Sequence, residues 1–224
     1  DYYLVDKLFS EEQILVGNAT RQWVKENVSP IIEEYNLKGE FPKNLIKSIA
    51  EIGGFGSILP EKYGGSELDM ISYGLMMQEL ERGDSSIRVM CSIQTSLVMK
   101  NIYEHGSDFL KQEFLLKLSK GELIGSFGLS EPGHGSDPAS MQTKHAIDGD
   151  YYIINGSKMW IGNAPFCDMA LVWSKGTDDR YACFIVQRND SGFTTAKIDK
   201  KWSFRASETG ELIFDNCKVH KKFM

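Results

Sequence analysis

FGLSEPGHGSD, residues 127–137, and KMWIGN, residues 158–163, decide how the rest of the chain is read. In the first, a short apolar strand breaks into a loop holding Pro132, Gly133 and Gly135. Glycine has no Cβ, so backbone N–H groups can approach a flat or anionic ligand there, and Pro132 sets the turn that presents them. The second stretch places Trp160 on a strand beside a small residue, Gly162, so an aromatic wall stands next to free space. Backbone donors beside a stacking face suit a planar cofactor with polar edges. On local composition the same loop also reads as a surface turn between strands, and Trp160 as a core side chain. A dinucleotide-binding βαβ reading fails, because no third glycine opens a helix and the segment after Asp137 leads into strands.

Upstream of this centre the chain is helical. Ser10 with Gln13 forms a capping-box pattern opening a helix that is expected to bury Ile14, Leu15, Trp23 and Val24 and to end near Pro30. A shorter segment spans 31–37. Pro42 starts a helix with Leu45, Ile46, Ile49 and Ile52 on one face, stopped by Gly53 and Gly54. Residues 68–81 form another, with Ile71, Leu75 and Met76 on one side. Asp84 or Ser85 caps the next, which runs to about Tyr103, and 107–118 form an amphipathic helix with Leu110, Phe114 and Leu118 inward.

Downstream the periodicity changes. Short β-branched or aromatic runs at 151–154, 170–173, 182–186 and 211–214, separated by Gly, Asp and Asn, predict an antiparallel sandwich or barrel. The expected class is α+β: an all-α domain over residues 1–122, then a β-domain over 123–224 that contributes to the site.

The bulk numbers narrow the partners. Hydrophobic content of 42% and charged content of 25% are ordinary for a globular protein. A net charge of −6 and a pI near 5.3 argue against nucleic acid or an anionic membrane as the main partner. No apolar run approaches the ~20 residues a membrane helix needs, and DYYLVDKLF lacks the features of a signal peptide. Cys91, Cys167, Cys183 and Cys217 are scattered, as free thiols in a reducing compartment are. His105, His134, His145 and His220 share no metal-ligand spacing, and His145 stands alone in a polar turn, so no metal site is expected.

The two central stretches resemble the flavin-binding signature of the acyl-CoA dehydrogenases, a Gly-Leu-Thr/Ser-Glu-Pro-x-x-Gly-Ser-Asp loop followed by Lys-x-Trp-Ile-x-Asn. The similarity runs through the chain and is greatest to the glutaryl-CoA dehydrogenase branch. QELERGDSSIR (78–88), residues 156–163 and KWSFRASETGELIF (201–214) carry it with the loop. The resemblance implies FAD held by Phe127, Gly128, Leu129, Ser130, Gly135, Ser136, Trp160, Ile161 and Gly162. Phe127, Leu129 and Ser130 would face the pyrimidine edge, where donors stabilise charge on the reduced ring. Trp160 would line the face away from the substrate, and Ser136 would meet the pantetheine or diphosphate of coenzyme A. Gly162 departs from the family pattern, which mostly has Thr there. Its missing hydroxyl removes a donor and opens space, as in some acyl-CoA oxidases of the same superfamily.

Glu81, Arg88 and Ser92 form the second candidate group. Asp84 and Arg88 read as an exposed i,i+4 ion pair. Arg88 and Ser92 nevertheless share one helical face, continued by Thr95, in a helix rich in apolar residues, and a buried guanidinium needs a partner. By resemblance, Glu81, Arg88 and Ser92 meet the distal carboxylate of a glutaryl substrate, which an Arg fork suits. Arg205, Ser207 and Thr209 read as a structural turn.

The family's proton-abstracting Glu sits in a C-terminal helical bundle, expected beyond Met224, so no residue here is assigned as that base and the chain is expected to be a portion of a longer enzyme. The whole enzyme implied is a FAD-dependent acyl-CoA dehydrogenase, a homotetramer passing electrons to electron-transfer flavoprotein. It would be cytoplasmic if bacterial and mitochondrial if eukaryotic. An acyl-CoA oxidase and a non-catalytic binding protein on the same scaffold are the rival readings.

Overall fold

The structure, a computed structural model, describes residues 2–224. Helices come first: α1 (Glu11–Trp23), α2 (Ile32–Lys38), α3 (Ile46–Glu51), α4 (Met70–Gly83), α5 (Ser85–Ser92), α6 (Lys100–His105) and α7 (Asp108–Ser119). Between α5 and α6 the helix does not break but widens to π geometry over Ile93–Met99. The capping box forms as read, Ser10 Oγ accepting from Gln13 N while Ser10 N donates to Gln13 Oε1. Trp23 and Val24 are buried, but Ile14 and Leu15 are exposed, as is Ile71. The buried face of α1 is instead Gly17, Thr20 and Trp23, and α1 lies against α4. Arg21 bonds the buried Glu79 carboxylate at 2.8 Å, joining those two helices.

Among the described residues seven strands follow: β1 (Gly125–Gly128), β2 (Lys144–Asp148), β3 (Tyr151–Gly162), β4 (Met169–Gly176), β5 (Tyr181–Gln187), β6 (Phe193–Lys197) and β7 (Thr209–His220). They form one mixed sheet in the order β1-β4-β2-β3-β7-β6, with β5 on the other edge of β4. This corrects the antiparallel expectation: β1 and β2 both run parallel to β4, one after the other along the same edge. The physical reason lies in the chain's path. Gly128 pairs with Val172 and Lys144 with Lys175, so residues 129–143 leave the sheet and rejoin it only a few β4 residues further on, still heading the same way. Strands β2 and β6 are short and each buries a single residue, with even Ile147 of β2 exposed, so they give no strong apolar alternation. His145 belongs to β2 rather than to a polar turn, buried and hydrogen-bonded through Nδ1 to Ser174 Oγ at 2.9 Å.

Alternation along β4 and β5 builds two cores. Met169, Leu171 and Ile185 face the helices and join their core, while Ala170, Val172, Phe184 and Val186 face β3 and β7 and pack on Ile154, Ile161, Leu212 and Phe214. Polar contacts tie the layers as well. Arg205 donates to the carbonyls of Asn36 and Leu37, and Gln94, wholly buried, donates to Leu118 O and Leu123 O and accepts from Gly125 N.

Candidate functional site

The excursion 129–143 is built around Glu131. Its backbone pairs with His134 in both directions, closing a tight turn over Pro132 and Gly133. Its carboxylate is buried and accepts from Gln142 N at 2.6 Å, Thr143 N at 2.9 Å and Lys158 Nζ at 2.8 Å. Lys158, fully buried on β3, also donates to Leu129 O at 3.1 Å, and Met159 N donates to Ser130 O. One ion pair thus fastens both ends of the loop to the strand that carries Trp160. Burial pushes the Glu131 carboxyl upward, but the bonds from Lys158, Thr143 and Gln142 outweigh it and hold its pKa at about 2. Burial also draws the Lys158 ammonium below its ordinary value, against the opposing pull of Glu131.

Beyond the clamp the loop is open. A Cβ built on Gly133 or Gly135 meets nothing within 4 Å, and Gly135 and Ser136 are exposed. Among the described residues the N–H groups of Ser130, Gly133, Gly135 and Ser136 donate to no acceptor. Phe127 and Gly128 lie at the root of the loop, Phe127 packed on the helical core and Gly128 where a Cβ would sit 2.9 Å from Leu212 Cδ1 and 3.2 Å from the Lys158 stem.

On β3 the register slips between Lys158, opposite Leu212, and Ile161, opposite Gly210. This bulge turns Trp160 outward: its φ is 63° and it is 61% exposed. A left-handed backbone on a bulky residue costs about 1–3 kcal/mol and persists only where its surroundings enforce it. Ile161 turns the other way into the inner core. Gly162 and Asn163 are fixed to β1, since Ser126 Oγ donates to Gly162 O at 2.9 Å and Asn163 Nδ2 to Gly125 O at 3.1 Å. The space expected beside Gly162 is filled. A Cβ there would lie 2.3 Å from Ile93 Cδ1 and 3.9 Å from Val89 Cγ1, so the first π-helical residue closes the gap.

That contact brings the second candidate group alongside, because Arg88 and Ser92 directly precede Val89 and Ile93 where α5 runs on into the π turn. Arg88 Nε donates to Glu81 at 2.6 Å and Nη1 lies 3.5 Å from Ser92 Oγ, while Nη2 makes no hydrogen bond among the described residues. Asp84 is not the partner of Arg88; it caps α5 through Ser86 N and accepts from Asn36. Glu81 also accepts from Ser85, and despite burial these bonds hold its carboxyl below the ordinary range. Thr95 does not continue the polar stripe. The wider π turn points it at Gly54 and Gly56, and Ser96 takes its place, bonded to Tyr73 Oη at 2.7 Å. Ser136 joins neither group through a hydrogen bond. A cavity of about 710 Å³ between α3 and α7 shares no residue with either.

Sequence reasoning missed Lys158, Glu131 and Gln94. A lysine in mid-strand two residues before a tryptophan, and a glutamate directly before a Pro-Gly turn, were the available signals.

Two family models match. The acyl-CoA dehydrogenase N-terminal domain covers residues 10–122 and the acyl-CoA dehydrogenase middle domain covers residues 126–217. A short-chain specific acyl-CoA dehydrogenase of Clostridium acetobutylicum is 35% identical over 220 residues, 96% of this chain and 58% of that protein. A glutaryl-CoA dehydrogenase of Desulfococcus multivorans is 32% identical over 226 residues, 97% of this chain and 58% of that protein. The crystal structure of a glutaryl-CoA dehydrogenase from Mycobacterium smegmatis in complex with FADH2 matches with a TM-score of 0.96 at 38% identity, over 99% of this chain and 57% of that one. The chain thus spans 57–58% of the length of these relatives. Matched by both models across its helices and its sheet, it belongs to the acyl-CoA dehydrogenase family.

Proposed function

We propose that this chain is the helical domain (1–122) and β-domain (123–224) of a FAD-dependent acyl-CoA dehydrogenase. The observation that carries the reading is the clamped loop: Lys158 and Glu131 hold unpartnered N–H groups beside an outward, backbone-strained Trp160. These residues fit a planar group with polar edges, which is the chemistry of a flavin. Phe127, Gly128, Leu129, Ser130, Gly135 and Ser136 would hold FAD from the loop side, and Trp160 and Gly162 from β3, with Ile161 contributing backbone only. Bound FAD supplies a two-electron acceptor for oxidation of the acyl α,β bond.

The chain's own residues bind and orient. Arg88, with one nitrogen free and Ser92 at its side, suits the distal carboxylate of a glutaryl thioester, provided Glu81 shares or yields the guanidinium. A plain acyl chain would leave that charge without a substrate partner, which favours a dicarboxylyl substrate. Glu79, Glu81 and Glu131 are all held below the ordinary range by hydrogen bonds, the wrong direction for abstracting a proton near neutral pH, while Asp190, raised by burial, accepts from Gln187 N in the turn after β5 and shares no hydrogen bond with either candidate group. The base is accordingly placed in the length of the relatives that this chain does not span. Electron-transfer flavoprotein as acceptor and a homotetrameric assembly belong to the same proposal. The oxidase alternative keeps the missing hydroxyl at Gly162 but not the open space, which Ile93 occupies.

The test is anaerobic addition of glutaryl-CoA to the full-length, FAD-loaded protein. Bleaching of the flavin absorbance is expected; an unchanged spectrum with glutaryl-CoA and with simple acyl-CoAs would refute the reading.

A further inference from the structure

We propose that His145 and Asp178 form an acid-sensitive latch, which draws the β4–β5 hairpin onto β2 when the imidazole takes up a proton. The latch uses no residue of either candidate group and stands apart from the acyl-CoA dehydrogenase reading. His145 is 9% exposed, its ring edge-on to Tyr152 and Phe184 at centroid distances of 5.6 and 5.0 Å. Nδ1 is engaged with Ser174 Oγ. Nε2 has no hydrogen bond among the described residues, and the ring lines a cavity of about 260 Å³ bounded by the hairpin. A carboxylate stands opposite. The point a Cβ would occupy on Gly176 lies 2.6 Å from Asp178 Oδ1 and 2.9 Å from His145 Nε2, so only a glycine at 176 lets the two converge. They are not yet bonded to each other: Asp178 accepts from Arg180 N and Arg180 Nε.

A neutral imidazole has one N–H to share between two neighbours, and an imidazolium has two. Proton uptake therefore gives Nδ1–H to Ser174 Oγ and Nε2–H to Asp178 Oδ1 at once, and adds an attraction across the gap. Charged neighbours are few. The hairpin presents Asp178 and Arg180, joined at 2.6 Å, and Lys175 of β4 is turned to Asp179 at 2.9 Å. The ring meets Tyr152 of β3 and Phe184 of β5, with Ile147 of β2 and Tyr181 of β5 along the cavity. Burial lowers the pKa of His145 and Asp178 pulls it back, so the neutral form prevails near neutral pH and the latch stands open there. The hairpin reaches further. Tyr181, the first residue of β5, donates from Oη to Ala139 O at 2.6 Å, inside the excursion 129–143.

The experiment is hydrogen–deuterium exchange of the full-length protein at about pH 7.5 and about pH 5.5, with exchange times scaled for the intrinsic rate and read on peptides that cover the hairpin. Wild type should show severalfold greater protection of the hairpin at the lower pH. Asp178→Asn removes the charge and Gly176→Ala puts a methyl group between the partners, so both should abolish that change, while Arg180→Gln should keep it. No change in wild type, or an equal change in Asp178→Asn, overturns the proposal. Urea unfolding against pH gives a second reading. A folded-state pKa below the ordinary 6.5 means that the unfolded chain binds more protons, so stability falls as pH drops through 6.5 toward the folded value. Asp178→Asn takes away the group that favours the imidazolium and should deepen that loss between 6.5 and about pH 5, and His145→Gln should remove it. A loss of equal size in wild type and Asp178→Asn overturns the latch.

Discussion

Lys158 Nζ and Glu131 Oε1 stand 2.8 Å apart, with the lysine side chain fully buried and the glutamate nearly so. The pair joins a loop to a strand that it meets nowhere else through side-chain charge, and each partner also satisfies backbone groups of the loop. Such a pair is weak evidence for net stability but costly to break on one side, because the remaining charge is left buried.

Lys158→Met is therefore expected to destabilise the chain by about 3–5 kcal/mol, read by urea unfolding. The double variant with Glu131→Gln should lose clearly less than the sum of the two single changes. Additive losses would show that the pair does not act as a unit.

The pair also fixes a pH dependence. The Glu131 carboxyl lies at about 2 in the folded chain against an ordinary value of 4.5. A depressed folded-state pKa contributes stability that is complete above about pH 4.5 and is lost as pH falls toward 2. The slope of stability against pH in that window should flatten in Glu131→Gln. An unchanged slope would assign the acid sensitivity to other carboxylates, such as Glu79.

Trp160 carries a left-handed backbone while 61% exposed, so its conformation does little for packing. Trp160→Gly, which removes the strain, should leave thermal stability unchanged or slightly raised while weakening retention of FAD during gel filtration. Lower stability with full flavin retention would make Trp160 a structural residue.

Arg88→Ala in the full-length enzyme should reduce kcat/KM for glutaryl-CoA far more than for butyryl-CoA, by roughly 100-fold if a carboxylate is paired there. Arg88→Lys keeps the charge but loses the fork, and should recover only part of the loss. Equal losses for both substrates would remove the case for a dicarboxylyl chain.

Much of this was legible in the residues. Ser10 with Gln13, Asp84 before Ser86 and the Leu110–Phe114–Leu118 face read correctly because caps and helical periodicity are local. Ile14 and Leu15 read as buried because periodicity does not tell which face meets a neighbour, and α4 meets Gly17 and Arg21 instead. The parallel pairings of β1 and β2 with β4 were hidden, since they depend on where a long loop returns to the sheet. Thr95 misled because a π turn shifts every later residue of the face, and no residue type announces it. The loop and Trp160 stood out through the family resemblance, since local composition alone reads as a surface turn and a core side chain; the ion pair that brings them together links positions 27 apart in sequence and shows only in the fold.

The most direct measurement is a fluorescence titration of FAD into the full-length apoprotein, wild type against Trp160→Ala and Lys158→Met. Flavin emission should be strongly quenched on binding to the wild type, with quenching reduced in Trp160→Ala and affinity lowered in Lys158→Met. Identical affinity and identical quenching in all three proteins would contradict a flavin ring held between the clamped loop and Trp160.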